Sequence, residues 1–573
     1  MFTAFVIPAE TGAEMVQLDR RRFLGAAGLG GAAAAVASSA LPAMAAPADD
    51  SSASQNDGDR PPSRGELIIG AVSPAGSLDP GLAVDSETER ICRQIFEPLV
   101  GINQDTGGVA PLLAEEWETS RDGLVYTFRL REGVTFHDGT ELTADVVAAN
   151  IRRWGRLDYL YGFGAVSAST PLAFPTAFGG FAEEDSCVLE SVEAEDELTL
   201  VLTLTEPVVY LLQALTQPAF GIASETVLSE SDPGLVSRNP IGTGCYQLVG
   251  RSEDGRSLRL TAFEDHWGDA AGATSVTVRA LGKSFDRLRE LNRGRIDVYD
   301  HITADNLRPL VQAGRLILQR DPFSILYLGM NLEHPIMGRP EVREAIARSV
   351  RRSALSEAIL LEGSRPAFQF TPPALGVHSD AAPRYDRSPT AAAELLEEAG
   401  YEGEPLRFYY PMATTRSWLP RPEAVYASLA RDLTDVGLVI EPRPVRWDDG
   451  YIEEMLADDE RALHLMGRNG GFRSPHSFFG PLFGQNGLGM PNREFNYDSE
   501  EVWELMAQAR GEQDDEARAE LYRELAVVLA EDLPAVPLAY PISGLALGRR
   551  VSDYPMSPVL NEQFADIALA GER

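Results

Sequence analysis

Seven histidines, three cysteines and a single lysine are the residues of this 573-residue chain that offer nucleophiles, metal ligands or a phosphate clamp. None stands in a reactive pattern. There is no His-Glu-x-x-His, which would put two zinc ligands and a general base on one helix face, no Gly-x-Ser-x-Gly nucleophile turn, and no Cys-x-x-Cys. His137, His266, His301, His334, His378, His464 and His476 have no close metal-ligand spacing and read as turn or surface residues. Gly282-Lys283-Ser284 follows a strand-like stretch, but the glycine that must open a phosphate loop is replaced by Thr277, so the backbone cannot wrap phosphates. No catalytic residue, metal ligand or cofactor is expected.

The elements that would position a binding surface are legible in pattern. Residues 66–72 read as an apolar strand, broken at Ser77-Leu78-Asp79-Pro80. Leu124, Tyr126, Phe128 and Leu130 alternate with Val125, Thr127, Arg129 and Arg131, as in a half-buried strand, and a second strand is expected to reach His137 before an Asp138-Gly139 turn. Thr143 is placed to cap a helix over 144–154, with Asp145 in its positive first turn. Further helices are expected over 340–350, 353–363, 389–399, 499–510 and 514–530, followed by an apolar strand over 535–540. The 389–399 helix carries an N-cap serine, Ser388, a first-turn proline, Pro389, and a terminating Gly400. Strands mixed with helices throughout predict an α/β fold.

At one domain per roughly 100–200 residues the length predicts two to four domains. The charge is unusual: 50 Lys+Arg against 86 Asp+Glu give −36, and Lys283 is the one lysine. Nucleic acid is excluded as a partner, because such binding draws its affinity from cations that neutralise phosphates. The acids are spread along the chain, which predicts a solvated acidic surface. This composition resembles that of proteins from salt-loving microbes; a GC-rich genome, which also favours Arg over Lys, is the alternative. Cys92, Cys187 and Cys245 allow at most one bridge, so no disulfide framework holds the fold.

Residues 1–45 read as an export signal. Asp19-Arg20-Arg21-Arg22-Phe23-Leu24 precedes an uncharged Ala/Gly-rich run that ends in Ala43-Met44-Ala45, a small-x-small cleavage site, and the twin arginines resemble the Tat signal, whose translocase carries folded proteins. An uncleaved anchor is the alternative, disfavoured because Gly and Ala hold a membrane span weakly. Residues 46–65 read as a disordered polar linker.

Four segments carry a family resemblance. Pro111-Leu112-Leu113-Ala114-Glu115-Glu116-Trp117-Glu118 leads through Asp122-Gly123-Leu124-Val125-Tyr126-Thr127-Phe128 to Phe136-His137-Asp138-Gly139-Thr140. Asn239-Pro240-Ile241-Gly242-Thr243-Gly244 follows, then 323–331 with Arg339-Pro340-Glu341-Val342-Arg343-Glu344-Ala345, then 385–401. In this order they resemble the family 5 extracellular solute-binding proteins of ABC importers, the dipeptide, oligopeptide and nickel receptors. One departure is Cys245-Tyr246, where the family has Pro-Tyr. The resemblance implies a two-lobed periplasmic-binding-protein-like fold of class II type with an extra domain and a ligand cleft between lobes. It implies three interleaved domains: 66–100 with 235–320 and 505–573 as domain I, 101–234 as domain II, and 321–504 as domain III. Permease and ATPase subunits at the membrane are the implied partners, the outer face of the cytoplasmic membrane the implied location of the exported receptor, and a monomer the implied state.

The resemblance also proposes site residues. Dipeptide receptors hold the ligand carboxylate with an arginine in an Arg-Pro-Tyr-Asn-Pro stretch, matched here by Arg416-Ser417-Trp418-Leu419-Pro420; a guanidinium can grip a carboxylate with two parallel hydrogen bonds. Their acidic loop for the ligand ammonium is matched by the segment from Gly467 to His476, where the carboxylate positions have become Gly471, Ser474 and His476, and Arg468 and Arg473 add positive charge. Pro475-His476 resembles the nickel receptors. The candidate ligand contacts are Arg416, Trp418, Arg473, His476, Asn469 and Asn331, and the implied solute is a peptide or related anionic molecule, with a nickel chelate as the alternative and an exported hydrolase as the remote one.

Overall fold

The computed structural model describes residues 65–104, 106–162, 172–485, 491–557 and 562–570. The export signal and nearly all of the linker lie outside the described residues.

Three sheets organise the chain. The strand Glu66–Ala71 is buried over Leu67–Ala71, as befits a strand covered on both faces. It lies at the centre of a seven-stranded sheet, parallel to Ser275–Ala280 on one side and Val298–Asp300 on the other. Against this sheet packs the Ser86–Ile95 helix, whose N-cap Asp85 accepts hydrogen bonds from the Glu87 and Thr88 amides. The Asn239–Gly244 motif braces the other end of that helix. A Cβ on Gly242 would stand 2.1 Å from the Ile95 carbonyl oxygen and one on Gly244 2.5 Å from that of Gln94, so only glycine fits.

The signature hairpin forms half of a four-stranded antiparallel sheet. Ala114–Thr119 and Val125–Leu130 pair, with Tyr126, Phe128 and Leu130 buried, and Thr199–Leu204 and Leu189–Ala194 follow. The Ala144–Trp154 helix covers it, Thr143 accepting from the Val146 amide as its cap requires. The expected strand into His137 does not form: Thr135 makes an isolated bridge to Glu141, and His137 instead donates its backbone amide to the Gly242 carbonyl and sets Nε2 2.8 Å from that of Gly244. Those bonds tie this unit to the seven-stranded one.

The third, six-stranded sheet runs Arg365–Pro366, Ala535–Tyr540, Ser324–Met330, Arg461–Asn469, Leu406–Met412, Ile440–Arg446. Here the structure departs from the boundary expected at 505. The helices Glu500–Gly511 and Asp515–Asp532 share a core with Phe323, Ile325 and Phe478, and Ala535–Tyr540 pairs with Ser324–Met330. The chain rejoins the seven-stranded sheet only with Gly544–Leu547. It thus crosses between these two units twice, between Gln319 and Ser324 and between Tyr540 and Gly544. The crossings bond to each other through Arg320 N to Ser543 O (2.9 Å) and Ser324 Oγ to Pro541 O (3.1 Å).

Candidate functional site

Where the six-stranded unit faces the Ser86–Ile95 helix, an arginine is buried without a full set of partners. Arg416 sits in the loop after the Leu406–Met412 strand, closed on itself by Arg416 N to Leu419 O (3.0 Å) and Leu419 N to Arg416 O (3.2 Å). It is 3% exposed, its guanidinium carbon lies 4.0 Å above the Trp447 ring, and its Nε and Nη2 find no hydrogen-bond acceptor. Burial lowers its pKa, opposed by the charges of Asp85 and Glu87 at the start of the facing helix. A buried cation left in this state costs free energy and invites an anion. Beside it, Ser417 Oγ donates to Asn469 Oδ1 at 2.8 Å, and Trp418 lies against Gly467, whose missing side chain leaves it room (2.6 Å).

Asn469, Gly470 and Gly471 form one side of a polar cavity of about 30 Å³; Glu89, Arg90 and Arg93 of the helix form another, and Asp300, His301 and Arg320 its base. Most of these charges are mutually satisfied. Fully buried Asp300 accepts from Arg90 and from Arg320 Nη1 (2.8 Å), and Arg320 Nε reaches Glu562 at 2.6 Å. Although burial works against it, Asp300 is held well below the usual carboxylate range by the guanidinium groups of Arg320 and Arg90. Glu89 differs: burial pushes its pKa up to about 7 despite Arg93 one turn away. His301 differs too. It adopts a left-handed φ of 53°, is 4% exposed, and neither ring nitrogen is hydrogen-bonded among the described residues, Nδ1 lying 3.8 Å from Asp300 Oδ1; burial brings its pKa down to about 3.

Residues 108–489 match the model of the bacterial extracellular solute-binding proteins, family 5 Middle. The chain belongs to this family. It is 26% identical over 514 residues to heme-binding protein A of Haemophilus influenzae, covering 88% of this chain and 92% of the relative. It is 25% identical over 486 residues to the dipeptide-binding protein of Escherichia coli, covering 83% and 89%. A dipeptide-binding protein from Pseudoalteromonas sp. SM9913, solved in complex with Met-Leu, has the same fold at a TM-score of 0.80 and 20% identity, over 88% of this chain and all (100%) of that one. The fold is the two-lobed one of these binding proteins, and Arg416 of the six-stranded unit lies within reach of the charges of Asp85 and Glu87 on the seven-stranded one.

The candidate residues therefore separate. Arg416, Trp418 and Asn469 come together, Asn469 being bonded to the intervening Ser417. Arg473 stands apart, exposed, its Nη1 donating to the Thr106 carbonyl at 2.6 Å. Asn331 is a structural fixture, bonded to the Arg461 carbonyl and to Asn496 Nδ2. His476 stacks on Tyr210 (4.2 Å between rings) in the wall of a second cavity of about 300 Å³ between the four-stranded unit and the Glu500–Gly511 helix. Its other ring nitrogen bonds to the Thr176 backbone, leaving Nδ1 buried and unpartnered, and burial holds its pKa near 3. Volume favours that second cavity, but its Arg510 is already paired with Glu206 (2.9 Å), whereas the smaller one adjoins an uncompensated cation. The charged cleft is the better site for this reason. Glu89 and Trp447 were missed in the sequence, and His301, read there as a turn or surface residue, is 4% exposed; the run Glu87-x-Glu89-Arg90-x-x-Arg93 was the one available sign, four charges on a segment that also carries the buried Ile91 and Ile95.

Proposed function

We propose that this protein is the exported receptor of an ABC importer that captures a peptide or related small carboxylate-bearing solute between its lobes and delivers it to a membrane permease. The observation that carries this reading is the Arg416 guanidinium, buried over Trp447 with two nitrogens unpartnered. Two parallel hydrogen bonds to a carboxylate would satisfy what the fold leaves open. The names of the relatives, dipeptide-binding among them, support the solute class. A cavity of about 30 Å³ is too small for a peptide, so a solute enters when the lobes part, and the paired crossings at 319–324 and 540–544 are placed to act as the hinge. The receptor binds and does not turn over its solute, works outside the cytoplasmic membrane as a monomer, and reaches that place through the Tat translocase by its twin-arginine leader. A nickel-chelate reading gains little from His476, which stacks on Tyr210 in the wall of the other cavity, where neither Arg416 nor a second described histidine lines the space.

The test is mass spectrometry of what co-purifies with the wild type, followed by calorimetry of that compound on Arg416→Ala. A carboxylate-bearing solute whose affinity falls well over tenfold supports the reading. Unchanged affinity, or turnover of the solute, overturns it.

A further inference from the structure

The acidic loop that holds a ligand's ammonium in dipeptide receptors has no carboxylate here. Nor is there space to restore one at 471 without displacing a neighbour: a Cβ on Gly471 would stand 2.4 Å from Gln217 Oε1. Resting on the reading above, in which Arg416 takes the solute carboxylate, we propose that the ammonium is received on the opposite wall, by Glu89 of the Ser86–Ile95 helix with His301 beside it, so that the preferred solute is a zwitterion lying across the cleft.

Three observations carry this. Glu89 lines the same cavity as Asn469, and Asn469 is hydrogen-bonded to the residue next to Arg416, so the two poles belong to one cleft. Of the acids around that cavity, Asp300 and Glu562 are engaged by Arg90 and Arg320, while the Glu89 carboxylate makes neither hydrogen bond nor ion pair with another described side chain. Burial raises its pKa, and the opposing charges of Arg93 and of Arg468 across the cleft offset only part of that cost. His301, finally, is a buried imidazole in a left-handed backbone conformation; neither ring nitrogen is hydrogen-bonded among the described residues, Nδ1 lying 3.8 Å from Asp300 Oδ1. Kept neutral at physiological pH, it presents a bare nitrogen that can accept an N–H but cannot repel a cation. An ammonium has three N–H bonds to place, and Glu89 with His301 supplies acceptors for them on the lobe that lacks Arg416.

The experiment is calorimetry of alanyl-alanine, its N-acetyl derivative and its C-terminal amide on the full mature chain and on Glu89→Gln and His301→Asn, the latter because asparagine tolerates the left-handed region. For the wild type, acetylation should weaken binding more than about tenfold, as loss of one partner of a desolvated charge pair does. On Glu89→Gln the free and acetylated peptides should bind alike, while sensitivity to the amide persists; His301→Asn should lose severalfold for the free peptide alone. Equal wild-type affinity for free and acetylated peptide, with the amide still weak, overturns the ammonium site and leaves the carboxylate reading standing. Discrimination against the acetyl form with none against the amide does the reverse, and no binding of any of the three overturns both. The acetyl comparison needs no variant, so it decides even if a substitution impairs folding.

Discussion

The guanidinium of Arg416 lies 4.0 Å above the indole of Trp447, which in turn meets Trp418 edge-on at 6.0 Å and stacks on Tyr451 at 5.8 Å. The arginine is held by an aromatic face in place of a full complement of acceptors, so it is positioned without being neutralised. Arg416→Met should therefore abolish solute binding while leaving the unfolding temperature of the empty protein unchanged or higher, because a buried cation replaced by an apolar chain of similar length is often neutral or stabilising. Trp447→Leu should keep some affinity but lose up to about 2 kcal/mol of it with the cation–π contact. Calorimetry and thermal unfolding of both variants are the check; a large drop in the empty protein's stability for Arg416→Met would mean that the arginine serves the fold.

Arg473 makes the opposite case. It donates to the Thr106 carbonyl on the surface, and rim charges change binding little. Arg473→Ala should leave the affinity within about twofold of wild type, measured beside Arg416→Ala on the same solute. A tenfold loss would place it in the cleft after all.

These two arginines show how far the sequence could be read. Local chemistry transferred well: Thr143 and Ser388 cap the helices they were placed to cap, Gly400 ends the second with a φ of 67°, and the alternation at 125–130 faces the core as expected. Such features are decided within a few residues. What was not legible is decided by partners far along the chain. Ala535–Tyr540 reads as an apolar strand by itself, but nothing in it says that it joins Ser324–Met330 instead of the seven-stranded sheet. Arg416 and Arg473 are equally polar in the sequence; a loop that turns inward over Trp447 and one that turns out toward Thr106 separate them. Glu89 and His301 were invisible for the same reason, since their isolation is a property of the burial around them.

The buried network at the crossing predicts a stability effect distinct from the binding ones. Arg320 joins Asp300 and Glu562 and sits where the chain leaves the seven-stranded sheet, with its amide bonded to Ser543 of the returning segment. Arg320→Met would strip Glu562 of this ion pair and leave Asp300 to Arg90. Breaking a buried pair from one side costs about 3–5 kcal/mol, so the unfolding free energy from denaturant titration should fall by that order, at low salt and at high salt alike. A change below about 1 kcal/mol would show that Arg90 and water compensate.

Salt should act instead on the outside of the molecule. A net charge of −36 with acids distributed along the chain sets up self-repulsion that ions relieve, the Debye length shrinking to about 3 Å at 1 M. The unfolding temperature should climb steadily from dilute buffer to molar KCl. A flat profile would assign the composition to genome bias.

The pH dependence of the empty protein separates Glu89 from the buried histidines. For Glu89 the folded pKa, about 7, lies above the ordinary 4.5, so the folded state binds more protons in between and this group's contribution to stability is lost as pH rises from about 4.5 to about 7. His301 and His476 work the other way: both are held near 3 against an ordinary 6.5, so their contribution grows as pH rises from about 3 to about 6.5. The charges that act on Glu89 are Arg93 and Asp85 on its own helix and Arg468 on the facing strand; His301, deeper in the cavity, stays neutral above about pH 4. Glu89→Gln removes one titration and leaves the rest. Its stability relative to wild type should therefore rise between pH 4.5 and 7 by an amount on the order of 2–3 kcal/mol and then level off, and saturating alanyl-alanine should flatten the difference in slope by pairing the carboxylate. Parallel pH profiles for the two proteins, measured by denaturant unfolding at fixed ionic strength, would show that the Glu89 carboxylate ionises as freely in the cleft as in water.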